Sequence, residues 1–216
     1  MSEASDPGIR ATDARVHVVL ATHNKHKLEE FAAIIAERMP QVDLVEYNGP
    51  EPVEDGVTFA ENALIKARAA AAQTGLIALA DDSGICVDVL GGAPGVFSAR
   101  WSGRHGDDSG NLALLLAQVA DVPDRHRGAH YTCAIALVRP GENDEPDDER
   151  IVEGEWDGML ARSPRGSNGF GYDPAFVPAG SSLTASELDP AVKNADSHRA
   201  RAFQAMVPAL QGLLSN

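Results

Sequence analysis

Two adjacent carboxylates give this sequence its clearest chemical signal. Asp81 and Asp82 follow the apolar run at 76–80 and precede Ser83 and Gly84. An acid at the carboxyl end of a strand lies where α/β proteins bind ligands, and carboxylate oxygens suit Mg²⁺. Neighbouring carboxylates also repel each other unless a cation or a proton intervenes. The alternative is a turn in which an aspartate caps backbone amides and Gly84 supplies the unusual φ. We take Asp82 as the candidate for metal binding or for acid–base catalysis.

A cationic turn separates the first predicted strand from the first predicted helix. Its residues are Thr22, His23, Asn24, Lys25, His26 and Lys27. Free N–H groups and the helix dipole stabilise an anion at a helix N-terminus, and two lysines add positive charge there. Taken alone, the segment also fits an ordinary N-cap with surface lysines. It is not a Walker loop, because the required glycines are missing.

An aromatic segment flanked by glycines is a third candidate. It contains Phe170, Gly171, Tyr172 and Asp173. Glycines let the backbone come close to a flat ligand, and the aromatic rings offer stacking area. The aspartate could accept hydrogen bonds from the edge of a base. The alternative is a Gly/Pro turn that carries core aromatics.

A basic segment near the C-terminus is a fourth candidate. Lys193, Ser197 and His198 have the spacing i, i+4 and i+5, which predicts that they share roughly one face of a helix. His198 could donate to a carbonyl or a phosphate, and Arg199 could bind phosphate oxygens with its two-pronged guanidinium. A solvated helix face is the alternative.

A further acidic patch precedes the long Ala-rich helix. Glu51, Glu54 and Asp55 lie in a loop rich in proline and glycine. Any of these acids could complete a metal shell with Asp82, although most acidic loops are simply solvated. We assign the metal to Asp82 and Glu54, and the other acids of this patch, together with Asp81, remain alternatives for the second ligand.

The elements that must position these residues alternate between strands and helices. The predicted strands span 16–21, 42–47, 76–80, 131–139 and 151–156, and the predicted helices span 27–39, 58–74 and 111–119. Thr58 and Glu61 form a capping box, and Gly75 ends that helix. The segment 186–214 is predicted to be largely helical, with interruptions near Pro190 and Pro208. This alternation predicts an α/β protein with a mixed sheet.

Composition limits the function further. The chain has 216 residues, 44% of them hydrophobic, and a formal net charge of -14. We expect one domain at 15–216 after a polar, disordered leader at 1–14, and a solvated acidic connection at 141–149. The acidity argues against nucleic acid as a partner. Cys86 and Cys133 are expected to be buried free thiols, and no signal peptide or membrane segment is recognisable, so we expect a cytoplasmic protein.

Together and in this order, the segments resemble the inosine triphosphate pyrophosphatase family. The residues that carry the resemblance are Thr22-x-Asn24-x-x-Lys27, Glu54-x-Gly56-x-Thr58-Phe59-x-Glu61-Asn62-Ala63, Ala80-Asp81-Asp82-Ser83-Gly84, Gly91-Gly92-x-Pro94-Gly95, Gly169-Phe170-Gly171-Tyr172-Asp173-Pro174 and Lys193-x-x-x-Ser197-His198-Arg199. The match runs over nearly the whole chain, and several short motifs in the right order are not a coincidence.

The resemblance implies an elongated mixed sheet flanked by helices that form two lobes with a central cleft. It also implies a homodimer that uses Mg²⁺ to hydrolyse ITP, dITP and XTP to the monophosphate and pyrophosphate. Such an enzyme keeps deaminated purines out of nucleic acid.

The resemblance also implies a role for each candidate residue. Thr22 to Lys27 would hold the phosphates, and Ser83 would contact the substrate. Phe170, Gly171, Tyr172, Asp173 and Lys193 would frame the base, while His198 and Arg199 would read its 6-oxo edge. Asp82 would be a metal ligand or the proton acceptor.

Two other functions remain open from the sequence. One is a sensor that binds a purine triphosphate without cutting it, against which the two strand-end aspartates argue. The other is a Mg²⁺-dependent phosphatase that removes only the terminal phosphate.

Overall fold

The computed structural model describes residues 15–141, 145 and 147–214. The predicted leader at 1–14 lies outside the described residues, and so does part of the acidic connection at 141–149. The elements are β1 (Val16–Leu20), α1 (Lys25–Arg38), β2 (Val42–Glu46), α2 (Phe59–Thr74), β3 (Ile77–Val87), α3 (Asp108–Gln118), β4 (Gly128–Arg139), β5 (Asp148–Leu160), β6 (Phe176–Pro178), α4 (Pro190–Asp196) and α5 (His198–Leu214), with short 3₁₀ turns at Asp88–Leu90, Gly95–Arg100 and Asp124–His126.

Within the described residues, six strands form one mixed sheet, which confirms the predicted fold class. The strand order is β2-β1-β3-β4-β5-β6. β1 runs parallel to both β2 and β3, whereas β3, β4, β5 and β6 pair antiparallel with one another. None of the described helices is long and apolar enough to span a membrane.

Alternation along the strands divides the core between two faces of the sheet. Large side chains, such as Leu20, Leu79 and Ile135, pack on one face against α1 and α5. Small side chains, such as Ala80 and Ala134, pack on the other face against the alanines of α2. Because successive residues of a strand point to opposite faces, this pattern brings one helix layer close to the sheet and leaves room for bulkier packing on the other side.

We had predicted that the aspartate pair lies at the end of a strand, and this prediction is wrong. β3 is continuous from Ile77 to Val87, because it pairs with β4 without a break. β1, however, pairs with β3 only as far as Leu79. Asp81 and Asp82 therefore lie within β3, just beyond the point where the neighbouring parallel strand ends. The turn alternative is wrong as well.

The C-terminal helices break at a different residue from the one predicted. α4 begins at Pro190, and α5 continues through Pro208. The break lies at Ser197, whose Oγ accepts a hydrogen bond from Ala200 N at 3.4 Å. A proline is tolerated in the first turn of α4, where its missing N–H has no partner to lose. α5 continues past Pro208 although the proline removes one helical hydrogen bond, and Met206 in the same helix is buried in the apolar core.

Candidate active site

A cavity of about 370 Å³ lies beyond the end of β1. Every predicted site residue except Lys25 and His26 lines it: Thr22, His23, Asn24, Lys27, Glu54, Asp82, Ser83, Phe170, Gly171, Tyr172, Asp173, Lys193, His198 and Arg199. We call Thr22, Asn24, Lys27 and Asp82 the phosphate end, and Phe170, Asp173, Lys193, His198 and Arg199 the base end, after the roles that the resemblance implies. Lys66, which lies beside Asp82, is counted with the phosphate end.

The N-terminus of α1 forms one part of the phosphate end. Asn24 caps the helix, since its Oδ1 accepts from His26 N at 3.0 Å and from Lys27 N at 3.3 Å. Thr22 Oγ1 in turn accepts from Asn24 N at 3.2 Å. The first turn of α1 carries no acidic residue, so the positive end of the helix dipole is not neutralised from within the helix. This turn suits an anion.

The two adjacent aspartates face opposite sides of the sheet. Asp81 lies on the face of α1 and α5, where its Oδ2 is 2.9 Å from Lys27 Nζ and 3.5 Å from Arg199 Nε. Burial alone would raise the pKa of Asp81, but the charges of Lys27, Arg199 and Lys66 outweigh burial and lower it to about 2. Asp81 is therefore an ionised structural carboxylate that pairs with a cation from each end of the cavity, Lys27 and Arg199.

Asp82 points to the opposite face, towards α2, and lines the cavity. Asn62 Nδ2 donates to Asp82 Oδ2 at 3.1 Å, and Lys66 Nζ lies 3.8 Å from Asp82 Oδ1. Burial raises the pKa of Asp82 above its ordinary value, and Lys66 and Lys27 only partly offset that rise. A carboxylate with a raised pKa is a better proton acceptor near neutral pH than an ordinary one. The geometry therefore suits Asp82 as a general base.

Among the described residues, no three His, Cys, Asp or Glu side chains form a metal site by themselves. Mg²⁺ commonly binds one or two carboxylates and takes its other ligands from substrate phosphates and water. Glu54 and Asp82 line the same cavity, and Lys66 Nζ lies 2.8 Å from Glu54 Oε1. The residues present therefore fit Mg²⁺ in donor type, with Glu54 and Asp82 as the carboxylates that would hold it.

The remaining acids of the loop before α2 fit a metal less well. Glu51 also lines the cavity, but its Oε1 lies 2.9 Å from His23 Nδ1 and its side chain is 70% exposed. Asp55 is not among the residues that line the cavity. Glu54 is thus the best placed of these acids to join Asp82.

Buried ion pairs hold the base end together. Lys193 Nζ lies 2.7 Å from Asp173 Oδ2 and 2.8 Å from Glu30 Oε1. Glu30 Oε2 accepts from Arg199 Nη1 at 2.6 Å, and Arg199 Nη2 donates to Ser83 Oγ at 2.9 Å. Burial alone would raise the pKa of Glu30, but Arg199 and Lys193 outweigh burial and lower it. Glu30 thus fixes two of the cations that the sequence assigned to the base.

His198 is a neutral, buried imidazole. Its ring stacks on Tyr131 with the centroids 4.6 Å apart and the planes 10° from parallel. Burial lowers the pKa of His198 well below its ordinary value, and the positive charges of Arg199, Lys193 and Lys27 lower it further. Its Nδ1 has no hydrogen-bond partner in the described part of the chain. A neutral imidazole offers one donor and one acceptor, so His198 can bind a polar edge of a base.

We had predicted that Lys193 and His198 share one helix, but they lie in two different helices. Lys193 lies in α4 and His198 begins α5, with the break at Ser197 between them. The i, i+4 spacing was therefore misleading, although the turn between the two helices still brings both side chains to the cavity.

The aromatic segment enters the cavity on a tight backbone. Gly169 and Gly171 have φ values of +74° and +61°, which glycine adopts at little cost. A Cβ atom at Gly169 would lie 2.1 Å from Asp173 Oδ2, the atom that accepts a hydrogen bond from Phe170 N at 3.0 Å. Tyr172 is nearly buried and its hydroxyl donates to Ser98 O at 2.8 Å. Phe170 is therefore the more accessible ring.

Several residues that shape this cavity are not among the predicted site residues. Lys66 and Tyr131 line it, while Asn62 and Glu30 hold its functional groups. Spacing offered a signal for most of them, because Asn62 and Lys66 are four residues apart on α2 and Glu30 is three residues after Lys27 on α1. Tyr131 gave no such signal, because an aromatic residue in a buried strand is ordinary core.

Sequence comparisons match this chain to known proteins over most of its length. A sequence model of the Ham1 family matches residues 18–209. A protein of Leifsonia xyli subsp. xyli named dITP/XTP pyrophosphatase is 61% identical over 199 residues, which cover 92% of this chain and 97% of the relative. A protein of the same name from Streptomyces coelicolor is 54% identical over 201 residues, which cover 91% of this chain and 98% of the relative.

Solved structures resemble the whole fold. A HAM1 protein from Coxiella burnetii has a TM-score of 0.79 and 42% identity, with 91% of this chain and 99% of that chain covered. A nucleoside-triphosphatase, or dITP/XTP pyrophosphatase, from Mycobacterium abscessus has a TM-score of 0.70 and 49% identity, with 89% of this chain and 100% of that chain covered. The resemblance seen in the motifs is confirmed, and the chain belongs to the Ham1 family.

Proposed function

We propose that this protein hydrolyses ITP, dITP and XTP to the monophosphate and pyrophosphate. One observation carries the proposal: a single cavity joins a cationic helix N-terminus, a carboxylate with a raised pKa and an aromatic base end. The relatives named dITP/XTP pyrophosphatase support the same activity. Removal of deaminated purine nucleotides from the precursor pool is the corresponding cellular role.

The chemical step is a displacement at the α-phosphorus. Asp82 accepts a proton from a water molecule as the water oxygen bonds to that phosphorus, and the bond to the bridging oxygen breaks, so that pyrophosphate leaves. Lys27, Lys66 and the positive end of the α1 dipole stabilise the negative charge on the leaving group. Asp82 and Glu54 would hold Mg²⁺, which when bound polarises the phosphate oxygens.

Discrimination between 6-oxo purines and adenine takes place at the base end. Inosine and xanthosine carry an oxygen acceptor at C6, whereas adenine carries an amino donor there. Arg199 offers only donors, and His198 offers one donor, so a 6-oxo purine satisfies groups that adenine leaves unpaired. An unmade buried hydrogen bond costs about 1–3 kcal/mol, which gives about 5- to 150-fold discrimination.

A substrate panel tests this function against its alternatives. Wild-type protein is incubated with ITP, dITP, XTP, ATP and GTP, with Mg²⁺ or with EDTA, and both pyrophosphate and orthophosphate are followed. We expect pyrophosphate with the three deaminated substrates and only with Mg²⁺. Orthophosphate and a diphosphate product would instead indicate a terminal phosphatase, and binding without any product would indicate a sensor.

Three further properties belong to the same proposal. We propose a homodimer, a cytoplasmic location and no nucleic-acid partner, on the basis of the family resemblance and the net charge of -14. Sedimentation at several protein concentrations tests the dimer, and a monomer at all of them would contradict it.

A further inference from the structure

A second, smaller cavity shares Phe170 and Lys193 with the main cavity. Its volume is about 310 Å³, and its walls include His26, Glu29, Asn168, Phe170 and Lys193. Phe170 and Lys193 line both cavities, whereas His26 lines only this second one. The Phe170 ring is thus part of the wall between the two cavities.

His26 supplies a packing partner for that ring. The imidazole and the Phe170 ring stack with their centroids 5.2 Å apart and their planes 14° from parallel. His26 itself is fixed in the first turn of α1, where its backbone N–H donates to Asn24 Oδ1 at 3.0 Å. The stack therefore links the anion-binding turn directly to the aromatic ring of the base end.

Backbone contacts hold the Phe170 segment but do not fix its ring. Phe170 N donates to Asp173 Oδ2 at 3.0 Å, and Gly171 N donates to Asp108 Oδ2 at 3.0 Å. The glycines on both sides carry no side chain that could pack against the ring. Rotation of the phenyl group is therefore restrained mainly by what lies on its faces. The His26 ring stacks on the phenyl ring, and Lys193 Nζ and Arg199 Cζ lie 5.3 Å and 5.4 Å from its centroid.

We propose that His26 is a positioning residue for base binding and not a phosphate ligand. By stacking on Phe170 from the second cavity, His26 holds the ring in the orientation that a purine in the main cavity can stack against. This inference rests on the proposed function and adds a specificity role to a residue that the sequence assigned to the phosphates. Under this inference, the first turn of α1 takes part in binding both the triphosphate and the base.

The test compares His26→Ala with His26→Phe, which keeps a flat ring. The control is His126→Ala, since His126 is an exposed histidine in the turn before β4. The measurements are kcat and KM for ITP, the dissociation constant of IMP by calorimetry, and the inhibition constant of pyrophosphate. Thermal unfolding verifies that each variant is folded.

For His26→Ala we expect KM for ITP and the IMP dissociation constant to rise about 3- to 10-fold, as loss of one aromatic pair predicts. We expect kcat and the pyrophosphate inhibition constant to stay within about twofold, because the pair acts on the base alone. His26→Phe should restore both raised constants to within about twofold of wild type, and His126→Ala should change none.

Two results would overturn the inference. Unchanged IMP binding in His26→Ala would show that the stack does not position the base. Equal weakening of pyrophosphate in both His26 variants would make the imidazole a phosphate ligand. If wild-type protein releases no pyrophosphate from ITP, the proposed function fails, but IMP binding by the variants still decides the role of His26.

Discussion

At the base end of the cavity Lys193, Asp173 and Arg199 are almost fully buried, whereas Glu30, which pairs with both cations, and the charged groups of the phosphate end keep partial contact with solvent. The side chains of Lys193, Asp173 and Arg199 are 3–5% exposed. Those of Lys27, Lys66 and Asp82 are 13–14% exposed, and the contact between Lys66 and Asp82 is a long 3.8 Å. The base end is assembled when the protein folds, and the phosphate end retains charge for a ligand.

This difference predicts two kinds of mutational effect. Taking a charge out of water is costly, and a buried pair that loses one partner leaves the other uncompensated. Substitutions at the base end should therefore lower stability together with binding. Substitutions at the phosphate end should lower activity while the fold survives.

The largest effect on activity is expected for Asp82→Asn, a substitution at the phosphate end. Loss of a general base typically lowers the rate about 10²- to 10⁴-fold, so kcat should fall by that factor while ITP binding survives in part. The free energy of unfolding should not fall, since burial disfavours the ionised form of Asp82 and asparagine carries no charge. Steady-state kinetics and urea unfolding measure the two quantities, with exposed Asp121→Asn as the control.

The pH profile of the wild-type enzyme sharpens this prediction. Asp82 must be ionised to accept a proton, and burial raises its pKa. The acid limb of kcat/KM, which reports the free protein before Mg²⁺ and the triphosphate bind, should therefore fall at a higher pH than an ordinary aspartate would give. A near-normal kcat for Asp82→Asn would remove Asp82 from the chemical step.

The largest effect on stability is expected at the base end, for Glu30→Gln. Removal of one partner from a buried ion pair costs about 3–5 kcal/mol, and glutamine keeps the shape, so we expect a loss of about 3 kcal/mol in the free energy of unfolding. IMP should also bind more weakly, because Lys193 and Arg199 lose their shared carboxylate. Urea unfolding and calorimetry measure both effects.

Glu29→Gln is the matched control, since Glu29 is exposed and precedes Glu30 on α1. It should leave stability within about 0.5 kcal/mol of wild type. Equal stabilities for the two variants would mean that the base end is not assembled by its ion pairs.

The sequence was most informative where one element contains the whole signal. The capping box of Thr58 and Glu61 and the αL residue Gly75 occur in the structure as predicted, because both depend on neighbours a few residues away. The mixed sheet also followed from the local alternation of strands and helices. The residues predicted for the cavity came from motifs, and the structure brings nearly all of them together.

The sequence was least informative where a contact joins distant elements. Glu30 joins α1 to α4 and α5, so its role depends on pairs separated by more than 160 residues. The different roles of Asp81 and Asp82 depend on strand alternation and on which helix covers each face. The sequence did not reveal this alternation, because β3 continues past Ala80 only through its long-range pairing with β4.

Asp81→Asn is expected to lower the free energy of unfolding by less than Glu30→Gln does. Asp81 pairs with Lys27 of the phosphate end and with Arg199 of the base end. Its pKa of about 2 lies below its ordinary value of 3.8, so the ionised form stabilises the fold above about pH 4. That contribution, about 2 kcal/mol, should be lost as the pH falls from 4 towards 2. The difference in unfolding free energy between wild type and Asp81→Asn should therefore be largest at pH 7 and shrink below pH 4. A difference that is constant with pH would contradict the assignment.

The smallest effect on stability is expected at the cap of α1, where two variants separate folding from ligand binding. Asn24→Ala removes the acceptor for His26 N and Lys27 N and should cost about 1 kcal/mol. Asn24→Asp keeps the cap, so it should be as stable as wild type, but it places a negative charge where the triphosphate is expected to bind. KM for ITP should therefore rise more in Asn24→Asp than in Asn24→Ala, the reverse of the order of their stability losses. If KM instead follows stability, the turn acts only as a helix cap, and the contrast between the two ends of the cavity is lost.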